Sequence, residues 1–393
     1  MLHLAILSFL RRPLSRLLLL CIIAISTSLP IFLWQTAGGL YDGINRAVTP
    51  FPILAGTKGS SYQLVLNTVF FRDRPLGNMT KEEAQALEEN PKVKAAYPLA
   101  FGDNYRGFPI IGTTKDLFQY QVNPKENAPW LSIQEGRLME EEGDVVIGSE
   151  TARLTGLQVG NTFHSIHGMS EKGHTHSHSH PCKVVGVLKP VKGPYDNAIL
   201  TDIHDVWEAH GEAAEAKQEV TALLVVPKGY KEAMQLLGAY QKNKEVQLVF
   251  PSQSIISLYA MVGQTKDFWK MLTLFLIGVS LMVTLLVMYW STLGRFSEIA
   301  LLAAMGATKK AIGTFLLIEE ICLLLSGTVI GWLLGYGGSL LAAKAIASHA
   351  AIVMDTAPNP LGLLLIPAIT LIGALASLLP IWLLQKKNVA DYL

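Results

Sequence analysis

Four apolar runs, each near the length that crosses a bilayer, constrain this chain more than any other feature. They fall at roughly 17–33, 268–290, 312–341 and 361–384. Crossing a hydrocarbon core of about 30 Å takes about 20 mainly apolar residues in a helix. Lipid offers no partner for backbone N–H and C=O groups, so only a helix or a closed barrel can span it. Composition agrees: 50% of the residues are hydrophobic and 16% are charged, against about 25% charged in an ordinary soluble domain. The charges are also unevenly placed. Residues 38–265 hold 21 Lys and Arg and 25 Asp and Glu, a net of −4, while the rest hold 11 and 6, a net of +5. The fold expected is an α-helical membrane protein with four transmembrane helices plus a large extracytoplasmic α+β domain.

Each run carries its own markers. The first follows Arg11, Arg12 and Arg16; it is longer than the about 7 to 15 apolar residues of a signal peptide and no A-x-A-like site follows, so it reads as an uncleaved anchor. Trp269 and Trp290 bracket the second, as aromatic rings do at the membrane–water interface. The third contains Gly327, Gly331, Gly335 and Ser339 at four-residue spacing, one ridge of small residues that lets another helix approach closely. It also contains Glu319 and Glu320, costly in lipid unless paired or near the interface. The fourth carries Pro367, Pro380, Gly373 and Ser377. Lys and Arg stay on the cytoplasmic side. Arg11, Arg12 and Arg16, then Arg295, Lys309 and Lys310, then Lys386 and Lys387 therefore place both termini inside and 38–266 outside. Residues 1–37 are expected to hold an interfacial helix and the first span, and 267–393 the other three.

The outer domain reads as a split β-α-β unit, 55–105 and 215–255, with an inserted β-rich subdomain, 106–214. The first β-α-β pattern runs from an alternating strand at 62–69, through a helix at 80–90 capped by Thr80 with Glu83 three residues on, to a strand at 93–98. The second runs through 221–226, 229–241 and 246–250, and the insert shows strand-like runs at 108–113, 144–148, 183–188 and 198–201.

Several functions are excluded or left open. No G-x-x-x-x-G-K-[ST] is present, so the chain does not bind ATP through a P-loop. No nucleophile–base pair supports a hydrolase, and no catalytic residue is assigned. Basic residues do not interleave with aromatics, so nucleic acid is not an expected partner. Cys21 and Cys322 sit in apolar runs, leaving Cys182 alone in the middle, with no disulfide framework. Six of the ten histidines fall in one segment: His164, His167, His174, His176, His178 and His180, followed by Cys182. Neutral imidazole binds zinc, copper and nickel, so these seven residues are candidate zinc ligands in a loop spanning 164–182. Without H-E-x-x-H or a placed general base, such a metal would not be catalytic. A solvated low-complexity insertion is the plain alternative.

The run from Arg295 to Lys310, RFSEIALLAAMGATKK, resembles the "REIALLRAMGAT" segment of MacB/FtsX-type ABC transporter permeases. The opening LRRPLSR from Leu10 to Arg16 looks like the same family's entry, and one span, a large outer domain and three further spans fit its length. The tail after Asn388 is shorter than the family's and lacks its proline. The resemblance implies a porter-like outer unit on a non-catalytic permease subunit, homodimeric, in a bacterial inner membrane, coupled to a separate ABC ATPase subunit through a short cytoplasmic helix. Carried over by position, Arg295, Phe296, Glu298 and Met305 touch the ATPase, and Gly306 ends the helix with positive φ. ATP-driven closure would then move the periplasmic domains without a continuous substrate path. A role for zinc would add a periplasmic partner that supplies it. The other reading open at this stage is a membrane metal sensor that signals without moving cargo.

Overall fold

Helix α1 (Pro13–Val48) is the first element of the computed structural model, which describes residues 13–167, 181–209, 218–261, 265–293, 301–302, 305–350 and 353–386. The remaining elements follow in order. They are β1 (Ile53–Thr57), α2 (Ser61–Phe70), β2 (Met79–Thr80), α3 (Lys81–Glu88), β3 (Val93–Tyr105), β4 (Phe108–Thr113), β5 (Ile133–Gly136) and β6 (Asp144–Ile147). Then come α4 (Ser149–Thr155), β7 (Thr162–Phe163), β8 (Ile166–His167), β9 (Cys182–Leu188), β10 (Ile199–Asp202), α5 (Ile203–Ala209) and β11 (Glu219–Val220). The chain continues through β12 (Ala222–Pro227), α6 (Tyr230–Tyr240), β13 (Val246–Val249), α7 (Pro251–Met261), α8 (Thr265–Leu293), α9 (Lys309–Ala350) and α10 (Pro360–Lys386). Two units result: Met1–Gly39, Gln264–Ala345 and Asp355–Leu393 form a helical one, and Leu40–Gly263 with Ile346–Met354 form an α/β one.

One sheet organises the α/β unit, in the strand order β13-β1-β12-β3-β4-β10-β6-β9-β5, with β7 on β9 and β8 on β3. The 13-residue β3 is its hinge line. Its first half pairs antiparallel with β12, from Val93 to Leu99, and its second half with β4, from Ala100 to Tyr105. At the changeover the Thr221 hydroxyl accepts the Phe101 N–H (3.1 Å) and donates to Asn78 (3.1 Å), so no ladder group is orphaned there. Fully buried strand residues such as Leu54, Leu99, Leu224, Val146 and Leu200 form the core. Phe51, Trp130 and Tyr195 interlock in it with ring centroids 4.8 to 5.8 Å apart.

Local chemistry explains the helices. At α3, Thr80 Oγ1 accepts the Glu83 N–H (3.3 Å) and Glu83 Oε2 accepts the Thr80 N–H (2.9 Å), a reciprocal cap. The strand expected at 62–69 is instead α2, and the strand that enters the sheet is β1, just before it, paired with β12 and β13. The Ser60 hydroxyl caps the helix by accepting the Gln63 N–H, and Phe71 closes it with φ 56°. Leu64, Val65, Thr68 and Val69 form the buried stripe, at the i, i+1, i+4, i+5 spacing of one helix face. The alternation Tyr62, Leu64, Leu66, Thr68 was incidental to that stripe.

Among the described residues, three helices are long and apolar enough to cross a membrane: α1, the 268–291 part of α8 and the 309–347 part of α9. Within α10 the apolar run found is Gly362–Leu378. The contacts of α1 on α9 rise together in number. A Cβ on Gly327 would meet Ile23, one on Gly331 would meet Thr27 and Ala24, and one on Gly335 would meet Ile31 and Ser28. The two helices are therefore parallel. Helix α10 runs the other way against α9, since Gly373 lies against Leu324 while Thr370 faces Thr328. The start of α1 and the chain leading into α9 thus share one end of the bundle.

Candidate functional site

At that end lies the elbow leading into α9. Leu301 and Leu302 are helical, Met305 and Gly306 form a turn, and α9 begins at Lys309. The Met305 N–H donates to the Leu301 carbonyl and the Ala307 N–H to the Leu302 carbonyl, both at 3.0 Å, with Gly306 at φ +90°. That six-to-one bond over a left-handed glycine is a Schellman close. A side chain at 306 would be strained there. The next residue but one, Thr308, caps α9 by accepting the Ala311 N–H (3.3 Å). Inside the bend, Leu302, Ala307, Phe315 and Leu317 pack on buried Ile312 and Leu316. The outside of the bend presents apolar surface: Met305 is 75% and Leu301 58% exposed, one helical turn apart. Met305 and Gly306 lie in this elbow; Arg295, Phe296 and Glu298 fall outside the described residues. Leu301 was not singled out in the sequence, because in an apolar run only the fold tells which leucine faces out.

The ridge Gly327, Gly331 and Gly335 seats α1 as described above, and Ser339, 3% exposed, donates to the Tyr336 carbonyl. Nearer the elbow, Arg16 of α1 forms an ion pair with Glu319 of α9, and the Arg16 and Glu319 side chains are 12% and 5% exposed. At the other end, Gln35 holds the segment between α9 and α10. Its amide nitrogen donates to the Ala357 carbonyl (2.6 Å) and its oxygen accepts the Asn359 N–H (3.1 Å). The Asp355 N–H adds a bond to the Gly39 carbonyl (2.9 Å). None of these ties is visible as a motif, since the partners are some 300 residues apart in the chain.

Of the candidate zinc ligands, His174, His176, His178 and His180 lie outside the described residues. His164 is exposed, and His167 ends β8, paired with Asp103 of β3. Cys182 opens β9, where burial first, and then the charges of Asp103 and Asp205, push its thiol up to about 11. No group of three or more His, Cys, Asp or Glu among the described residues is placed to hold a metal ion. An open acidic cleft of about 290 Å³ near α5 is lined in part by Glu140, Glu141, Asp202 and Asp205. Burial raises the Asp205 carboxyl despite hydrogen bonds from Thr201 and the Gly143 N–H.

Comparison with known proteins adds two family matches. Residues 36–236 match the model of the MacB-like periplasmic core domain, and residues 270–389 that of the FtsX-like permease C-terminal region. No curated protein matches the chain. Among solved structures, the extracellular domain of the noncanonic ABC-type transporter YknZ from Gram-positive bacteria is 15% identical, with a TM-score of 0.31 over 50% of this chain and 98% of that one. The periplasmic region of MacB from Actinobacillus actinomycetemcomitans is 13% identical, with a TM-score of 0.36 over 55% and 95%.

Proposed function

Because the chain belongs to the family of MacB-like and FtsX-like ABC transporter permeases, we propose that it is the non-catalytic membrane subunit of such a transporter, driven by a separate ABC ATPase that docks on the elbow before α9. The exposed Leu301 and Met305 on a bend stiffened by the Schellman close and the Thr308 cap carry this reading. A partner pushing there bears on a hydrogen-bonded turn joined to the capped start of α9. In this account α1, α8, α9 and α10 are four spans of a bacterial inner membrane, both termini are cytoplasmic, and the α/β unit is periplasmic. Arg16, Arg295, Lys309 and Lys310 then satisfy the retention of basic residues on the inner side. Two copies work together, as the family resemblance implies.

Affinity purification of the full chain in detergent tests this. A nucleotide-binding subunit should copurify and hydrolyse ATP, and Leu301→Asp with Met305→Asp should release it while leaving the permease monodisperse. Recovery of a kinase or a transcription factor instead would favour the metal-sensor reading.

The histidine segment adds a link to zinc in this account, supported by four imidazoles at alternate positions from His174 to His180. Calorimetric titration of zinc into the full chain should lose its saturable phase when these four become Ser. An identical isotherm would end that part of the proposal.

A further inference from the structure

The ridge on α9 does not by itself define where α1 sits. Its seats repeat every four residues, about 6 Å along the helix, so α1 could move one turn forward. Ile23 would then face Gly331, Thr27 would face Gly335, and Ile31 would face the small Ser339. Movement the other way is blocked, because Ile23 would meet the Leu323 side chain, itself 5% exposed. What opposes the forward slip is polar. Arg16, now paired with Glu319, would be carried to the level of Leu323, separating it from the buried Glu319 carboxylate. Gln35, 8% exposed, would lose both the Ala357 carbonyl and the Asn359 N–H, and the Gly39 carbonyl beside it would lose the Asp355 N–H.

We propose that Arg16–Glu319 and the Gln35 clasp form a two-point register key that holds α1 in one of two seats on the α9 ridge, with a one-turn slip as the alternative state. Buried ion pairs contribute little net stability compared with apolar replacements, yet separating one is costly. Such polar contacts specify register where an apolar seam leaves it degenerate. A one-turn ratchet of one helix past another is an established form of switching motion. In the permease, α1 is the helix whose residues 40–48 continue into the α/β unit, with Ile44, Ala47 and Val48 in its core. The register key rests on the reading above only in placing the bundle in a bilayer.

The test is disulfide trapping in the full chain in lipid nanodiscs, with Cys21, Cys182 and Cys322 replaced by Ala. An Ile23→Cys/Gly327→Cys pair reports the present seat, since a Cβ built on Gly327 lies 3.0 Å from the Ile23 Cβ, near the about 3.5–4.5 Å of a disulfide. An Ile31→Cys/Ser339→Cys pair reports the slipped one, since Ser339 already carries a side chain and the exchange adds no clash to the present seat. With the key intact, only the first pair should close. In Arg16→Met/Gln35→Leu/Glu319→Met the ratio of slipped to present closure should rise about 10-fold or more. The charge swap Arg16→Glu/Glu319→Arg, which keeps the pair, should behave like the native chain. A triple variant that still closes only the first pair overturns the proposal, as does a swap that closes the slipped pair as readily as the first. Loss of ATPase copurification would undo the permease reading without altering these closures.

Discussion

Asp144 sets the sign of one pH response. It is 1% exposed, and burial pushes its carboxyl up. The Glu141 and Glu140 N–H groups, each 3.1 Å away, and the Arg137 guanidinium at 2.7 Å outweigh that and hold it below the ordinary carboxylate value. A carboxyl depressed in the folded state stabilises above its unfolded pKa, about 3.9, and the gain is lost as pH falls toward the folded value. Asp196 and Asp205 are raised, chiefly by burial, so their contributions run oppositely and grow on acidification. Asp144→Asn should therefore destabilise by about 1–3 kcal/mol at pH 7, and the gap from the native chain should close below about pH 4. Thermal unfolding of the full chain in detergent, followed by tryptophan fluorescence across pH 3 to 7, reads this out. A gap independent of pH would show that the carboxylate's charge is not what the three donors hold.

At the scale of elements, the ridge makes a sharper distinction between glycines than their spacing does. A Cβ on Gly331 would meet Thr27 and Ala24, whereas one on Gly337 would meet nothing within 4 Å. Gly331→Ala should cost about 1–3 kcal/mol by overpacking, while Gly337→Ala should be neutral or slightly stabilising, since alanine is the better helix former. Melting temperatures in one detergent compare the two, and equal shifts would mean that the ridge does not seat α1. The small-residue spacing was legible in the chain, as was the reciprocal cap of Thr80 and Glu83, because both are local patterns with one physical cause. The helix at 61–70 was not: a ten-residue apolar stretch carries strand-like alternation and a helical stripe at once, and packing of α2 on α7 and β1 decides between them. Nor was the sheet order, in which β10 lies parallel to β4 and β6 parallel to β9, since such pairings join segments separated by long connections.

For the whole molecule, the chain was legible as long apolar helices before and after a large α/β unit because length, hydropathy and charge placement act over tens of residues and survive any local ambiguity. The long-range polar ties were not, as Arg16 and Gln35 acquire meaning only once α1 lies parallel to α9. What unites the account is that work done by another polypeptide enters at the elbow Leu301–Thr308. Replacing Met305 with a photo-crosslinking amino acid in the full chain, in living cells, tests that most directly. The account predicts an ultraviolet-dependent adduct with an ABC ATPase subunit, identified by mass spectrometry and lost on Leu301→Asp. An adduct with an extracytoplasmic protein, or none with any nucleotide-binding subunit, would contradict it.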